Sequence, residues 1–246
     1  MCSIVLITQQ RDMNALIVAA NRDEKLDRPA GDPRIDENSP IARIRPVDEA
    51  QGGTWLGLNA MGVFAGITNR FMAPNDPNRS SRGSLPLLAL EEPSARIAAN
   101  KIASINPHTY NAFHLVMADA REAWVVWSDG SRMQRESLLP GVHVVTESSS
   151  GAGEDKRRDY LLTRVQDILG EKESTRLQSL GKLMGESRDD SFHGPCVHLP
   201  AIGYGTRSSS LVSWGKQTQS RRFLHSSVAP DQPQWQDYSG LIQAWG

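Results

Sequence analysis

Met1-Cys2-Ser3-Ile4-Val5-Leu6-Ile7-Thr8 opens the chain, and Asn14-Ala15-Leu16-Ile17-Val18-Ala19-Ala20-Asn21-Arg22-Asp23-Glu24 follows it. Two short apolar runs, Ser3–Thr8 and Asn14–Ala20, flank the polar Gln9-Gln10-Arg11-Asp12. That pattern predicts a hairpin of buried strands. Cys2 stands at the head of the first strand, and four consecutive polar residues, Asn21 to Glu24, close the second. Removal of an initiator Met before a small side chain leaves Cys2 with a free α-amino group of pKa about 7.7–8.0, a usable base at neutral pH. Its own thiol, of ordinary pKa near 8.5, lies within reach. Nucleophile and base then share one residue. On position alone, a small apolar residue opening a buried strand is the competing reading.

Working outward, Asp23–Gln51 is polar and carries Pro29, Pro33, Pro40 and Pro46, which predicts a long excursion with little regular structure. Strand signals resume at Thr54–Asn59 and Val63–Thr68, joined by the turn Asn59-Ala60-Met61-Gly62. A second polar loop spans Asn69–Ser84. A short helix capped by Ser84 is expected to end near Leu90, and another is expected over Ser94–Ser104. Ala112–Ala118, Ala123–Ser128 and Val142–Thr146 read as strands, with a turn at Asp119-Ala120-Arg121-Glu122. Leu161, Val165 and Leu169 fall at helical spacing within Asp155–Leu169, and a second helix is expected over Ser174–Met184. Strands return at Ser208–Ser213 and Arg221–His225. Strands, a helical insert and strands again predict stacked antiparallel sheets with helices on their outer faces.

Composition narrows the class. The 246 residues are 39% hydrophobic and 22% charged, with 27 Lys+Arg against 28 Asp+Glu. Such a chain buries a full core and suits one large domain, residues 1–246. A net charge of −1 lacks the basic excess of a nucleic-acid or anionic-membrane binder. No apolar run approaches the roughly 20 residues that span a bilayer, and the first residues lack the basic n-region of a secretion signal. Cys2 and Cys196 do not make a disulfide scaffold, so a reducing, cytoplasmic setting is expected. Arginine outnumbers lysine 21 to 6, which a GC-rich genome explains as readily as anion recognition.

Several further stretches carry candidate chemistry. Arg22 has the fork geometry to hold an anionic group, and Asp23 or Glu24 can accept from an amine; a solvated turn is the plainer reading. Gly52-Gly53-Thr54-Trp55-Leu56-Gly57 enters a strand with glycines where backbones approach closely, a corner anchored by Trp55. Asn69 ends the strand Gly66-Ile67-Thr68-Asn69-Arg70, a position from which a side-chain amide can donate to an oxyanion, or serve as ordinary turn chemistry. Gly203-Tyr204-Gly205-Thr206-Arg207 opens a late strand, with Arg207 among hydroxyls suited to a carboxylate or phosphate. His193, Cys196 and His198 place three soft ligands within six residues. Their spacing matches no standard zinc signature, so no metal is expected and that cluster stands as the alternative.

Taken in order, Met1-Cys2, Ala19-Ala20-Asn21-Arg22-Asp23-Glu24, Gly52-Gly53-Thr54-Trp55-Leu56-Gly57 and Gly203-Tyr204-Gly205-Thr206-Arg207 resemble one family. It is the NRDE family, named for the tetrapeptide and also called the transport-and-Golgi-organisation family. The resemblance implies an N-terminal-nucleophile (Ntn) hydrolase-like α+β fold, a four-layer αββα sandwich of two antiparallel sheets. Within that superfamily the chain resembles the bile-salt and penicillin-V amidohydrolases. Their pattern implies Cys2 as nucleophile, Arg22 supporting the thiolate, Asp23 orienting the amine, Asn69 holding the oxyanion and Arg207 binding a carboxylate or positioning the amine. Asn21, Glu24, Trp55, Arg70, Glu147 and Tyr204 are then the candidate substrate contacts. One position departs: those hydrolases carry an Asn where this chain has Val145-Thr146-Glu147, and a carboxylate there repels a developing oxyanion.

Two readings follow. The first is a cofactor-free hydrolase of an amide or thioester bond in a small acylated substrate. The second, motivated by Glu147 at the oxyanion position and by the His193, Cys196 and His198 cluster, is a non-catalytic binding or trafficking protein for haem or an acyl conjugate, in line with the family's implied roles in haem handling and acyl-lipid metabolism. In either case the expected partner is a small molecule, with no nucleic acid and no membrane span.

Overall fold

Apolar residues dominate both faces of β1 (Cys2–Thr8) and the first half of β2 (Asn14–Lys25), and the two strands pair antiparallel from Cys2–Arg22 to Thr8–Leu16. The computed structural model describes residues 2–8, 14–71, 75–153, 155–188 and 193–245, with the side chains of residues 14, 15 and 173 left aside. The expected turn at Gln9–Asp12, and Met1 itself, lie outside the described residues. The remaining strands are β3 (Ala30–Asp36), β4 (Arg43–Asp48), β5 (Leu56–Asn59), β6 (Phe64–Asn69), β7 (Phe113–Ala118), β8 (Ala123–Ser128), β9 (Met133–Leu138), β10 (Gly141–Val145), β11 (His198–Leu199), β12 (Tyr204–Gly215), β13 (Arg222–Ser226) and β14 (Gln236–Asp237). The α-helices are α1 (Ser84–Ala89), α2 (Ala95–Ala103), α3 (Lys156–Leu169), α4 (Glu173–Met184) and α5 (Ser239–Gln243). Among the described residues, no helix is long and apolar enough to cross a membrane.

The chain divides into two compact units. The first comprises residues 1–28, 141–146 and 155–246. Its sheet runs β10-β1-β2-β12-β13-β14, with β11 beside β12. Alternation along the strands sends Val5, Ile7, Ile17 and Ala19 to one face, where they pack with Leu161, Val165 and Ile168 of α3 and with Leu180, Leu183 and Met184 of α4. The strand and helix expectations for this unit hold, because each rests on an apolar period that burial enforces. At Arg207 the β12–β2 register slips between Thr206 and Ser208, a bulge that takes Arg207 out of the ladder.

The second unit, residues 29–140 and 147–154, is a meander in chain order from β3 to β9, with α1 and α2. Ser94 caps α2, accepting from the Ile97 N–H. The hairpin at Asn59–Gly62 forms as expected: Asn59 Oδ1 accepts from the N–H groups of Met61 and Val63, and Gly62 takes φ +82°. Gly53 explains its residue type by contact, since a Cβ there would stand 2.6 Å from the Gly83 carbonyl carbon.

Two expectations need correction. Residues 23–51 are not an irregular excursion: β2 runs to Lys25, and β3 and β4 follow. The prolines mislead because the β3–β4 ladder is interrupted between Gly31 and Arg34, so Pro33 sits where pairing is broken, on a strand at the sheet edge. Strand β9 went unread because its middle, Gln134-Arg135-Glu136-Ser137, is exposed at the opposite edge and carries no apolar alternation.

Candidate active site

Within the first unit, strand pairing assembles most of the singled-out residues. Cys2 lies opposite Arg22, and Asp23 lies opposite Thr206 of β12. Cys2 is half-buried, and its Sγ accepts from the Asp23 N–H. Burial, aided by the Asp23 carboxylate, pushes the thiol above its ordinary value and outweighs the pull of the N-terminal ammonium and, more weakly, of the Arg22 guanidinium.

Asp23 is the hub. Its Oδ1 accepts from Thr206 Oγ1 at 2.6 Å, its Oδ2 from Arg157 Nη1 at 3.0 Å, and its backbone carbonyl from the Tyr204 hydroxyl at 2.9 Å. The same Arg157 nitrogen reaches Ser3 Oγ at 3.3 Å. Arg22 is buried, with Nη2 3.9 Å from Glu24 Oε2. Glu24 also lies 3.8 Å from Arg28 Nε and accepts from the Lys25 N–H. Asn21 gives its amide to the carbonyls of Met184 and Pro195, both at 2.9 Å, and so ties the strand end to the end of α4. From its bulge, Arg207 donates to the Leu26 carbonyl.

The other candidates belong to the second unit. Asn69 is exposed at the end of β6, and Trp55 is buried. Arg70 donates to the carbonyls of Ser149 and Ser150, each at 3.0 Å, and stacks over the Trp127 ring. Its Nη1 also meets His114 Nε2 at 2.8 Å, and burial together with this cation pushes the His114 pKa down to about 4. Glu147 accepts at its backbone carbonyl from the Phe71 N–H.

The family model described as Transport and Golgi organisation 2 matches residues 1–227. The chain belongs to that family. Its curated members include the "Transport and Golgi organization protein 2 homolog" of Bos taurus, 27% identical over 225 residues (80% of this chain, 81% of the bovine protein). The Homo sapiens homologue is 25% identical over the same length, 80% of this chain and 81% of its own. Among solved structures, the penicillin V acylase from Agrobacterium tumefaciens matches with a TM-score of 0.55 at 15% identity, covering 99% of this chain and 88% of that one. A Caenorhabditis elegans N-acylethanolamine-hydrolyzing acid amidase orthologue matches with a TM-score of 0.58 at 11% identity, covering 86% and 92%. At these identities the likeness shows the fold, and the fold is Ntn-hydrolase-like, with two antiparallel sheets as expected.

In this Transport and Golgi organisation 2 member, Arg157 and Thr206 are the site residues that sequence reasoning missed. A signal for Arg157 existed. The helical stripe Leu161, Val165 extends one step back to Arg157, a cation on the apolar face of α3 and 2% exposed. Thr206 lies inside the Gly203–Arg207 motif, but only strand register brings its hydroxyl opposite Asp23.

The sequence-level cluster of His193, Cys196 and His198 changes membership. Cys196 and His198 stay together, with Sγ 3.4 Å from Nε2, whereas His193 lines a surface cleft with Lys156, Tyr160, Arg164 and Arg188. Cys196 is 1% exposed. A haem iron needs its flat macrocycle to stand against the ligand atom, so this sulfur does not fit axial ligation of haem.

Proposed function

We propose that the chain is an Ntn-type hydrolase that cleaves an amide or thioester bond in a small acylated substrate, with Cys2 as nucleophile. The carrying observation is the placement of Cys2 at the head of β1, opposite Arg22 and bonded through Sγ to the Asp23 N–H. With Met1 removed, the thiol attacks the acyl carbonyl and its proton passes to the Cys2 α-amino group. That group then returns the proton to the departing amine or thiol. Water hydrolyses the acyl-thioester, releasing the acid and restoring the thiol. A thiol kept neutral by burial suits this scheme, since the amine takes the proton during attack and no standing thiolate is needed. Asp23, fixed by Arg157 and Thr206, orients the amine.

The test is steady-state turnover of a panel of N-acyl amides and acyl thioesters of graded chain length. The wild type should turn over at least one class, and Cys2→Ala should lose that turnover. Full turnover by Cys2→Ala would overturn the reading.

A second reading is a carrier of an acyl conjugate or haem without turnover. The observation that favours it is Glu147, a carboxylate where the resembled amidohydrolases carry an oxyanion-holding Asn. It predicts saturable binding with no product, and a haem titration without a Soret shift would overturn its haem version.

A further inference from the structure

Cys196, His198 and Asp231 lie outside the proposed nucleophile's chemistry, and their donor atoms converge. Sγ of Cys196 is 3.4 Å from Nε2 of His198, that same Nε2 is 3.2 Å from Oδ2 of Asp231, and all three donor atoms fall within 4.8 Å of one another. The backbone builds this convergence. Cys196 lies on the bend just before β11 and His198 is the first residue of that strand, and their donor atoms meet across Val197. Between them, the Val197 N–H donates to Thr206 Oγ1 and the Val197 carbonyl accepts from the Thr206 N–H. The end of α4 anchors both sides: the Cys196 N–H bonds to the Glu186 carbonyl, and Pro230 packs directly on Gly185, where no Cβ would fit. The Asp231 N–H in turn points at the Cys196 sulfur.

Both short contacts fall on one ring nitrogen, Nε2 of His198, which gathers sulfur, nitrogen and carboxylate oxygen around a common point. A Cys-His-Asp catalytic relay is excluded for the same reason, because a relay uses the two ring nitrogens separately. A single cation satisfies all three groups together. Tetrahedral zinc, with Zn–S about 2.3 Å and Zn–N or Zn–O about 2.0–2.1 Å, places sulfur about 3.6 Å from nitrogen and nitrogen about 3.4 Å from oxygen. The observed 3.4 and 3.2 Å fall a little inside those edges.

We propose that Cys196, His198 and Asp231 form a binding site for a divalent ion of the zinc class, with a fourth coordination position open to water or a ligand. A thiolate and an imidazole beside one carboxylate select this class over magnesium or calcium, which demand oxygen shells. The sulfur lies at the buried end, while His198 and Asp231 are 47% and 30% exposed at their side chains, so the ion enters from solvent. A thiolate ligand gives up its proton on coordination, so affinity rises with pH and binding releases acid. The site does not depend on the hydrolase reading, and either can fail alone.

The test uses the full chain, stripped by chelator under reducing conditions and titrated with cobalt(II). The expected result is a sulfur-to-cobalt charge-transfer band saturating at one ion per chain, displaced by zinc. Cys196→Ser should abolish the band and Cys2→Ala should keep it. Asp231→Asn and His198→Ala, at exposed positions that spare the fold, should each weaken binding more than about tenfold. Absence of a saturating band in the wild type overturns the proposal. So does a band that survives Cys196→Ser, vanishes in Cys2→Ala, or is unmoved by Asp231→Asn.

Discussion

Nη1 of Arg157 lies 3.0 Å from Oδ2 of Asp23, and neither side chain is more than 2% exposed. A cation from the first turn of α3 thus reaches the carboxylate at the end of β2, with the Ser3 hydroxyl on the same nitrogen. Two charges in such a place are costly to bury singly. Together they fix Asp23, whose N–H holds the Cys2 sulfur.

Removing one partner should therefore cost far more than removing both. Arg157→Met should lower stability by about 3–5 kcal/mol in urea unfolding, since it strands a buried carboxylate. Asp23→Leu combined with Arg157→Met should recover most of that loss. Equal losses in the single and double variants would contradict the pairing.

His114 sets a pH dependence. Its folded pKa of about 4 lies below the ordinary value of 6.5, so the unfolded chain binds the proton more readily. The sign follows: stability is complete above pH about 6.5 and falls as pH drops toward 4, by roughly 3 kcal/mol. Nε2 stands 2.8 Å from the Arg70 guanidinium, so protonating the buried ring sets two positive charges side by side. Urea midpoints between pH 7 and 4 should fall in the wild type and flatten in His114→Gln. An unchanged slope in that variant would assign the effect elsewhere.

Backbone contact at Gly53 predicts intolerance of the smallest side chain. Gly53→Ala drives a Cβ to 2.6 Å from the Gly83 carbonyl carbon and should cost about 1–3 kcal/mol. Gly240→Ala, in α5 with no heavy atom near the new Cβ, should be neutral or slightly stabilising. Thermal melts of the two variants make the comparison.

Thiol chemistry should separate the two cysteines. Burial raises both thiols, but Cys2 is half-buried and Cys196 is buried. Alkylation at neutral pH, followed by peptide mapping, should label Cys2 before Cys196, each more slowly than in the urea-unfolded chain. Faster labelling of Cys196 would reverse this picture of access.

How far the sequence foretold the fold depends on what each residue's signal was. Val5, Ile17, Leu161 and Leu211 announce their elements because burial imposes a period on neighbours in the chain. Strands β3 and β9 run along sheet edges, where no such period is enforced, and Pro33 disguised one of them. At the site, Cys2, Arg22 and Asp23 were legible from position and motif. Arg157 was not, because its partner lies 134 residues away and local context reads a helix-start arginine as solvated. Asp231 likewise has no neighbour in sequence that marks it as a companion of Cys196 and His198. Register and packing alone bring it there.

The central claim is that Cys2 forms a covalent acyl intermediate. The direct measurement is intact mass and peptide mapping of the wild type quenched in acid during turnover of an active acyl amide or thioester. The account predicts one acyl adduct per chain, carried by the peptide that contains Cys2 and absent from Cys2→Ala. An adduct on another residue, or turnover by Cys2→Ala, would contradict it.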